Sequence, residues 1–231
     1  MLAIALPAPV FATNCYILAP TGGEECLVVD PGIGVERTVM DVLLEHRLRP
    51  AAVLLTHGHV DHTYSVTPVC AGNTAAYIHA ADRYRLGNPL TELGAGMIAM
   101  LEQQFGARAK WREPEIVVEV HDRQRLTLAG LDIDIVHAPG HTEGSVMFGL
   151  DDIPGGVDSD GKLTTTMLTG DVIFAGSIGR TDLPGGDHSA MEWSLRERVL
   201  PLPDDTLLLT GHGPATTMRR ERATNPYLRG L

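Results

Sequence analysis

The sequence contains little cysteine and no cysteine pair of the kind that binds metal. Its 231 residues include three cysteines, Cys15, Cys26 and Cys70, and no Cys-x-x-Cys spacing. An odd count without that spacing argues against a disulfide framework and against a thiolate zinc finger. We therefore expect a reducing, cytoplasmic setting for the chain.

Positive charge and long apolar runs are also scarce. Lys and Arg number 18 against 29 Asp and Glu, so the formal net charge is −11. Nucleic-acid binding draws much of its affinity from basic side chains on phosphates, so we expect no nucleic-acid partner. No apolar run reaches the roughly 18 residues of a membrane span, and we expect no membrane partner. Pro7 and Pro9 interrupt the apolar N-terminus, where short strands around a turn are a better interpretation than a secretory signal.

The hydrophobic content of 44% supports a packed core, and its pattern alternates short β-rich runs with helical stretches. Runs rich in Val, Ile, Leu and Thr predict the strands Asn14–Ala19, Cys26–Val29, Ala52–Leu55, Ala75–Ile78, Ile116–Val120, Leu131–His137, Ser145–Leu150, Met167–Thr169 and Thr206–Leu209. The predicted helices are Val35–Glu45, Thr91–Phe105 and Ser189–Val199. Ser189 and Glu192 have the spacing of a capping box, and the polar segment Asp151–Thr166 predicts a surface loop. Strands mixed with helices in this way predict one α/β domain with layered sheets.

Histidine is abundant, with ten residues, and several of them follow apolar strands together with aspartate. The residues in such positions are His57, His59, Asp61, His62, His141, Asp171 and His212. Turns beyond the carboxyl ends of neighbouring strands meet at one edge of a sheet, where α/β proteins commonly hold their sites. We therefore expect these side chains to converge.

The convergent side chains are imidazoles and carboxylates, which suit Zn²⁺, Fe²⁺ or Mn²⁺. Five histidines and two aspartates are too many for one tetrahedral ion. They suit two ions about 3.5–4 Å apart that share a bridging carboxylate. The sequence therefore predicts two divalent metal ions, with zinc favoured over iron or manganese.

The segment THGHVDH at residues 56–62 matches the HxHxDH signature of the metallo-β-lactamase superfamily, and later ligand motifs resemble those around His141, Asp171 and His212. The resemblance covers nearly the whole chain. It implies an αβ/βα four-layer sandwich of two mixed sheets flanked by helices, with a dinuclear site at one edge. It also implies a first metal on His57, His59 and His141, a second on Asp61, His62 and His212, and a bridge through Asp171.

The full ligand set is similar to that of the glyoxalase II branch, the hydroxyacylglutathione hydrolases. The segment GSIGRTD at residues 176–182 resembles a segment of the single-domain members of that branch. Two-domain members continue into a helical domain that supplies part of the glutathione site, whereas this chain ends at Leu231, soon after His212. We expect one domain over residues 1–231 and no separate C-terminal glutathione-binding helical domain.

The resemblance implies a dinuclear metal-dependent hydrolase of S-acyl thiols, such as the S-lactoyl conjugate of glutathione or of another low-molecular-weight thiol. A metal-bridging hydroxide, held with Asp61 and Asp171, is expected to attack the thioester carbonyl. We expect the substrate to be a small-molecule thioester and the protein to be a monomer or a small homo-oligomer.

Two further residues have a functional and a simpler interpretation. Arg180 matches the basic residue of the family that binds the glutathione moiety, but it could instead form a surface ion pair with Asp182 or Asp187. Asp30 is expected to orient a ligand histidine, although an aspartate before Pro31 also suits a simple turn.

A mononuclear iron persulfide dioxygenase of the same superfamily is the alternative function, because that branch shares HxHxDH and a GRTD segment. A nuclease of the superfamily is disfavoured by the net charge of −11. A non-catalytic binding scaffold is disfavoured because all seven ligand positions keep metal-binding side chains.

Overall fold

The computed structural model of the chain describes residues 1–106, 111–157 and 162–231, apart from the side chains of residues 91 and 92. Within these ranges a first six-stranded sheet contains, in spatial order, β1 (Leu2–Pro7), β2 (Asn14–Ala19), β3 (Glu25–Val29), β4 (Arg49–Leu54), β5 (Ala75–His79) and β6 (Val117–Val120). The next strands along the chain are β7 (Arg125–Leu128), β8 (Leu131–His137), β9 (Val146–Leu150), β10 (Thr165–Gly170), β11 (Ile173–Phe174), β12 (Ser177–Ile178), β13 (Thr206–Thr210) and β14 (Thr216–Thr217). The second sheet has the order β14-β13-β10-β9-β8-β7, and β11 and β12 form a separate hairpin.

Both sheets are mixed. In the first sheet β1, β2 and β3 pair antiparallel, whereas β3 to β6 are parallel. In the second sheet β10 and β13 are parallel and the other neighbours are antiparallel. The α-helices are α1 (Glu36–His46), α2 (Val60–Thr63), α3 (Val66–Cys70), α4 (Ala95–Phe105), α5 (His188–Ser194) and α6 (Met218–Thr224). Short 3₁₀ helices span Ala80–Gly87, Pro89–Glu92 and Pro226–Leu228, and a π-helical turn, Leu195–Val199, extends α5.

The layering follows from side chains that alternate along fully buried strands. In β2, Tyr16 and Leu18 pack toward the second sheet, whereas Cys15 and Ile17 join the core beneath α1 and α3. The second sheet alternates in the same way, because its β13 residues Leu207 and Leu209 face the first sheet and Leu208 packs against α5 and α6. Strands buried on both faces must be covered on both faces. The expected αβ/βα four-layer sandwich is therefore confirmed.

Two of the helix predictions need correction. The predicted capping box is wrong, because the side chain of Asp187 caps α5 by accepting a hydrogen bond from Ala190 N at 2.9 Å, and Ser189 lies inside the helix. The predicted helix Thr91–Phe105 is two elements, since Gly94 takes an extended conformation between the 3₁₀ turn and α4.

The strand predictions hold in position but omit three edge strands, β1, β7 and β14, and the short hairpin of β11 and β12. The strands β1 and β7 were not predicted individually, because edge strands are only half buried and have weak apolar patterns. In the predicted loop Asp151–Thr166, residues 158–161 lie outside the described residues, and Thr165 and Thr166 already belong to β10. Among the described helices, none has the length and apolar character to cross a membrane.

A second group of histidines, outside the ligand set, lies at the ends of β5, β6 and β8. The ring of His79, which is 8% exposed, stacks on His137 with centroids 4.1 Å apart and planes inclined by 10°. The ring of His121 lies 6.2 Å away. Burial, then His137 and His121, lower the pKa of His79 to about 4, against a weaker opposite effect of Asp122. The fold therefore holds His79 as a neutral ring.

This arrangement predicts part of the acid sensitivity of the protein. Between pH 6.5 and 4 the unfolded chain binds a proton at His79 that the folded chain does not bind, so folding stability falls as the pH falls through that window. His79→Gln should flatten the pH dependence of the free energy of unfolding by up to about 1.4 kcal/mol per pH unit, the value for one proton. Denaturant titrations of the metal-free protein between pH 8 and 4 measure this slope. Parallel curves for the variant and the wild type would contradict the prediction.

Candidate metal centre

The seven predicted ligand residues lie together at one edge of the sandwich. Each follows a strand: β4 precedes the segment from His57 to His62, and β8, β10 and β13 precede the others. Three overlapping groups have ligand atoms within 4.8 Å of one another: His57, His59 and His141; His57, His62 and Asp171; and Asp61, His62 and His212. Each group could hold a metal ion, and their shared members make one continuous patch.

Hydrogen bonds at the rear nitrogen of three histidines determine which nitrogen faces the centre. His141 Nδ1 donates to Arg180 O at 2.8 Å, and His212 Nδ1 donates to Phe11 O at 3.2 Å. His62 Nδ1 donates to Asp30 Oδ2 at 2.9 Å. Carbonyl and carboxylate oxygens only accept, so Nδ1 carries a proton and Nε2 points into the patch. This arrangement is typical of metal-binding histidines.

His57 is oriented through Thr56 in the same way. The Thr56 hydroxyl donates to Asp30 Oδ2 at 2.6 Å and can therefore accept from His57 Nδ1, 3.1 Å away. Among the described residues, His57 Nε2 and Asp171 Oδ1 are buried side-chain atoms with no hydrogen bond, although Asp171 Oδ1 lies 3.3 Å from His62 Nε2 in an ion pair. Buried polar atoms without partners are costly and rare. Both atoms face the patch, and a bound cation would satisfy them.

Pairs of ring nitrogens approach each other across the patch. His59 Nδ1 lies 2.8 Å from His141 Nε2, and His62 Nε2 lies 3.3 Å from His212 Nε2. Two ligands at ordinary Zn–N distances in a tetrahedral site lie about 3.3 Å apart. The donor set therefore fits divalent metal ions in both chemistry and spacing.

The charges of the patch also suit metal binding. Burial, reinforced by neighbouring histidines, lowers the pKa of His57 well below its ordinary value and that of His59 to about 3, so both rings are neutral bases. Burial raises the pKa values of Asp61 and Asp171, but His62 and other histidines lower them more, and both carboxylates stay ionised. Burial lowers the pKa of His62, but the surrounding carboxylates outweigh burial and raise it. A cation would neutralise the same carboxylates.

Asp30 lies at the start of the loop after β3 and is 2% exposed. Its carboxylate accepts hydrogen bonds from Thr56 N at 2.8 Å, from the Thr56 hydroxyl and from His62 Nδ1. The backbone φ of Asp30 is +49°, a left-handed conformation that few residues other than glycine adopt. The side chain thus links β3 to the loop that contains the ligand residues His57 and His62.

Two contacts of the β1–β2 turn were not predicted from the sequence. Thr13 Oγ1 donates to Asp61 Oδ2 at 3.1 Å, and Thr13 forms an isolated β-bridge with His212. Phe11 and Ala12 both have positive φ, which turns the carbonyl of Phe11 toward the ring of His212. A threonine in a turn has no distinctive sequence pattern, so only the fold could reveal this role.

The side chain of Arg180 lies at the rim of the patch and is engaged in an ion pair. Its Nε and Nη2 atoms each contact the Asp182 carboxylate at 2.7 Å, and both side chains are exposed. This contact is the surface ion pair given above as the alternative interpretation, and Arg180 also borders the cleft over the ligands. The cleft has a volume of about 380 Å³, and its wall includes Phe11, Val60, Leu93 and Leu183.

An αβ/βα sandwich with histidines and aspartates at the carboxyl ends of its strands is the architecture of a metal-dependent hydrolase class. A family model described as the metallo-beta-lactamase superfamily matches residues 8–152, and the chain belongs to that superfamily. It is similar to the hydroxyacylglutathione hydrolase GloC of Haemophilus influenzae, at 31% identity over 96% of both chains. It is also similar to an uncharacterized protein of Mycobacterium tuberculosis, at 41% identity over 100% of this chain and 99% of the relative.

Two solved structures resemble this chain over almost their whole length. BLEG-1 B3 metallo-beta-lactamase aligns with a TM-score of 0.78 at 31% identity and covers 99% of this chain and 100% of its own. TTHA1623 in a di-iron-bound form aligns with a TM-score of 0.72 at 30% identity and covers 98% and 100%. These comparisons confirm the resemblance stated from the sequence motifs.

Close packing around Asp171 leads to a prediction for Gly211. A Cβ atom at Gly211 would overlap Asp171 Oδ1 and would lie 2.9 Å from the carbonyl of Gly170. Gly211→Ala should therefore displace the Asp171 carboxylate, destabilise the fold by about 1–3 kcal/mol and lower the metal content. Elemental analysis after stripping and reloading the protein measures the metal content.

Gly87→Ala is the matched control, because a Cβ atom at Gly87 meets nothing within 4 Å. It should retain the wild-type metal content. Equal metal content in the Gly211 and Gly87 variants would show that the carboxylate tolerates the added methyl group, contrary to the prediction.

Proposed function

We propose that the protein is a dinuclear metal-dependent hydrolase of S-acyl thiols, similar to glyoxalase II. The observation that carries this proposal is the central place of Asp171, whose carboxylate oxygens lie 3.3–3.6 Å from the Nε2 atoms of His62, His141 and His212. Asp171 lies between the three-histidine group, which is His57, His59 and His141, and a second group, which is Asp61, His62 and His212. A carboxylate in that position can bridge two ions. The similarity to GloC supports the thioester as substrate class.

The proposed ligands are those predicted from the sequence. His57, His59 and His141 would hold one ion, Asp61, His62 and His212 the other, and Asp171 both. Divalent ions in these positions would supply a Lewis acid for the substrate carbonyl and would lower the pKa of a water molecule. Zinc remains the favoured metal, with iron or manganese as alternatives.

The residues of the chain itself would orient the ligands and the substrate. Asp30 and Thr56 hold the rings of His62 and His57, and Thr13 holds the Asp61 carboxylate. The apolar wall of the cleft would contact the uncharged part of the thioester and exclude water from the face of the substrate that lies against this wall. A thiolate leaves readily, so hydrolysis does not require a strong proton donor next to the sulfur.

The proposal is tested by metal content and thioester hydrolysis measured on the same sample. We expect about two ions per chain and turnover of S-lactoylglutathione. Asp171→Ala should remove the bridge and reduce kcat/KM by at least about 100-fold, while Asp134→Ala, on the exposed face of β8, should leave it unchanged.

Other results would redirect the assignment. One iron per chain, no thioester turnover and oxygen uptake with a persulfide would favour the dioxygenase of the same superfamily. Near-normal activity of Asp171→Ala would exclude the bridged dinuclear mechanism. Two ions without turnover of any tested S-acyl thiol would contradict the proposed substrate class.

Arg180 is proposed to contact a carboxylate on the thiol part of the substrate, which would have to compete with Asp182. Two variants should then have opposite effects on the KM of a carboxylate-bearing thioester. Arg180→Ala removes the cation and should raise this KM several-fold, whereas Asp182→Asn releases the guanidinium and should lower it. An uncharged thioester serves as the comparison substrate and should respond much less. Equal responses of both substrates would exclude Arg180 as the anion contact.

A further inference from the structure

Besides Asp30, a second buried carboxylate near the centre accepts three hydrogen bonds, and it belongs to Asp82. Asp82 lies in the 3₁₀ helix after β5, and its side chain is 0% exposed. Its Oδ2 atom accepts from Gly58 N at 2.8 Å and from the Thr142 hydroxyl at 2.7 Å. Its Oδ1 atom accepts from Gly144 N at 2.8 Å. One carboxylate thus receives three short hydrogen bonds from two different loops.

The donors lie directly beside candidate ligands. Gly58 separates His57 from His59, and Thr142 follows His141. The two loops that supply the three-histidine group are therefore joined at Asp82. Hydrogen bonds to an ionised acceptor are stronger than neutral ones and fix the backbone direction of their donors. Gly144 also packs closely here, since a Cβ atom on it would lie 2.6 Å from Asp82 N.

A buried cation compensates the buried charge. The guanidinium of Arg85, whose side chain is 1% exposed, lies 3.5 Å from Asp82 Oδ1. The same guanidinium donates to Glu143 Oε2 at 2.8 Å and to Pro184 O at 2.9 Å. A buried carboxylate is tolerated in the core where a paired cation and hydrogen bonds compensate its loss of hydration. It is also rigid, because moving it would break contacts on both loops at once.

We propose that Asp82 is a positioning residue that aligns the three-histidine group for metal binding by joining the His57–His59 loop to the His141 loop. This inference rests on one part of the proposed function, namely that the three-histidine group binds a metal ion. It does not depend on the substrate. The hydrogen bonds described for Asp82 go to backbone N–H groups and to Thr142 and not to the histidine rings, so its effect is on where the ring nitrogens lie.

The test is a metal titration of Asp82→Asn. The amide keeps the shape of the carboxylate but has a single acceptor oxygen, so the backbone N–H of Gly58 or of Gly144 loses its acceptor. A His212→Ala background removes a ligand of the second group, so that the titration reports mainly on the three-histidine group. In this background we expect the Zn²⁺ affinity, measured by competition with a chromophoric chelator, to fall about tenfold or more. In the metal-free protein, amide hydrogen exchange at Gly58 and Gly144 should become faster.

Glu221→Gln is the matched control. The side chain of Glu221 is also 0% exposed and accepts three hydrogen bonds, from Gly176 N, the Thr216 hydroxyl and Asn225 Nδ2. None of these donors is adjacent to a histidine of the three-histidine group. This variant should lose stability without losing Zn²⁺ affinity in the same background. Wild-type affinity in Asp82→Asn, or an equal fall in both variants, would overturn the proposal.

Thr142→Val covers the case in which Asp82→Asn does not fold. It removes one donor to Asp82 and keeps the carboxylate and both backbone contacts. We expect a several-fold fall in Zn²⁺ affinity, and unchanged affinity would count against the proposal. Because the readout is metal affinity, failure of thioester hydrolysis would leave this result intact.

Discussion

Five imidazoles and two carboxylates lie together at one edge of this protein, and hydrogen bonds on the outer side of four of the rings fix their orientation. Rear hydrogen bonds orient His57, His62, His141 and His212 toward a common centre. Each acceptor lies on a different segment: Thr56 beside β4, Asp30 after β3, Arg180 after β12 and Phe11 in the β1–β2 turn. The sandwich must therefore place four separate segments accurately before the patch can exist, and burial makes any error costly.

The general architecture could be predicted from the sequence because it depends on local patterns. Apolar strands with alternating faces, such as β2, indicate two covered faces, and histidines directly after such strands indicate a common edge. The edge strands were harder to recognise, since β7 is exposed along much of its length and its pattern is weak. The start of α5 was misplaced because Asp187 and Ser189 are both good capping residues, and only the backbone path shows which one precedes the first turn.

The candidate site, like the fold, could be predicted only in part from the sequence. Ligand residue types and their positions after strands are visible in the sequence, and the resemblance to the superfamily completes the set. The supporting contacts are not, because they join residues far apart in sequence, as when Thr13 meets Asp61 or Asp82 meets Thr142. The environment of Arg180 shows a related limit. An arginine two residues before an aspartate predicts either a free anion contact or an ion pair, and only the side-chain geometry distinguishes them.

The origin of the ligands in both sheets has a thermodynamic consequence. His57 and His62 belong to the first sheet's loops, whereas His141, Asp171 and His212 follow strands of the second. Any ion that bridges these loops binds only the assembled sandwich, so free metal concentration and folding are linked. Each tenfold rise in free metal above the dissociation constant would add about 1.4 kcal/mol to stability for each ion. The folded fraction of the protein would then rise and fall with the supply of metal in its surroundings.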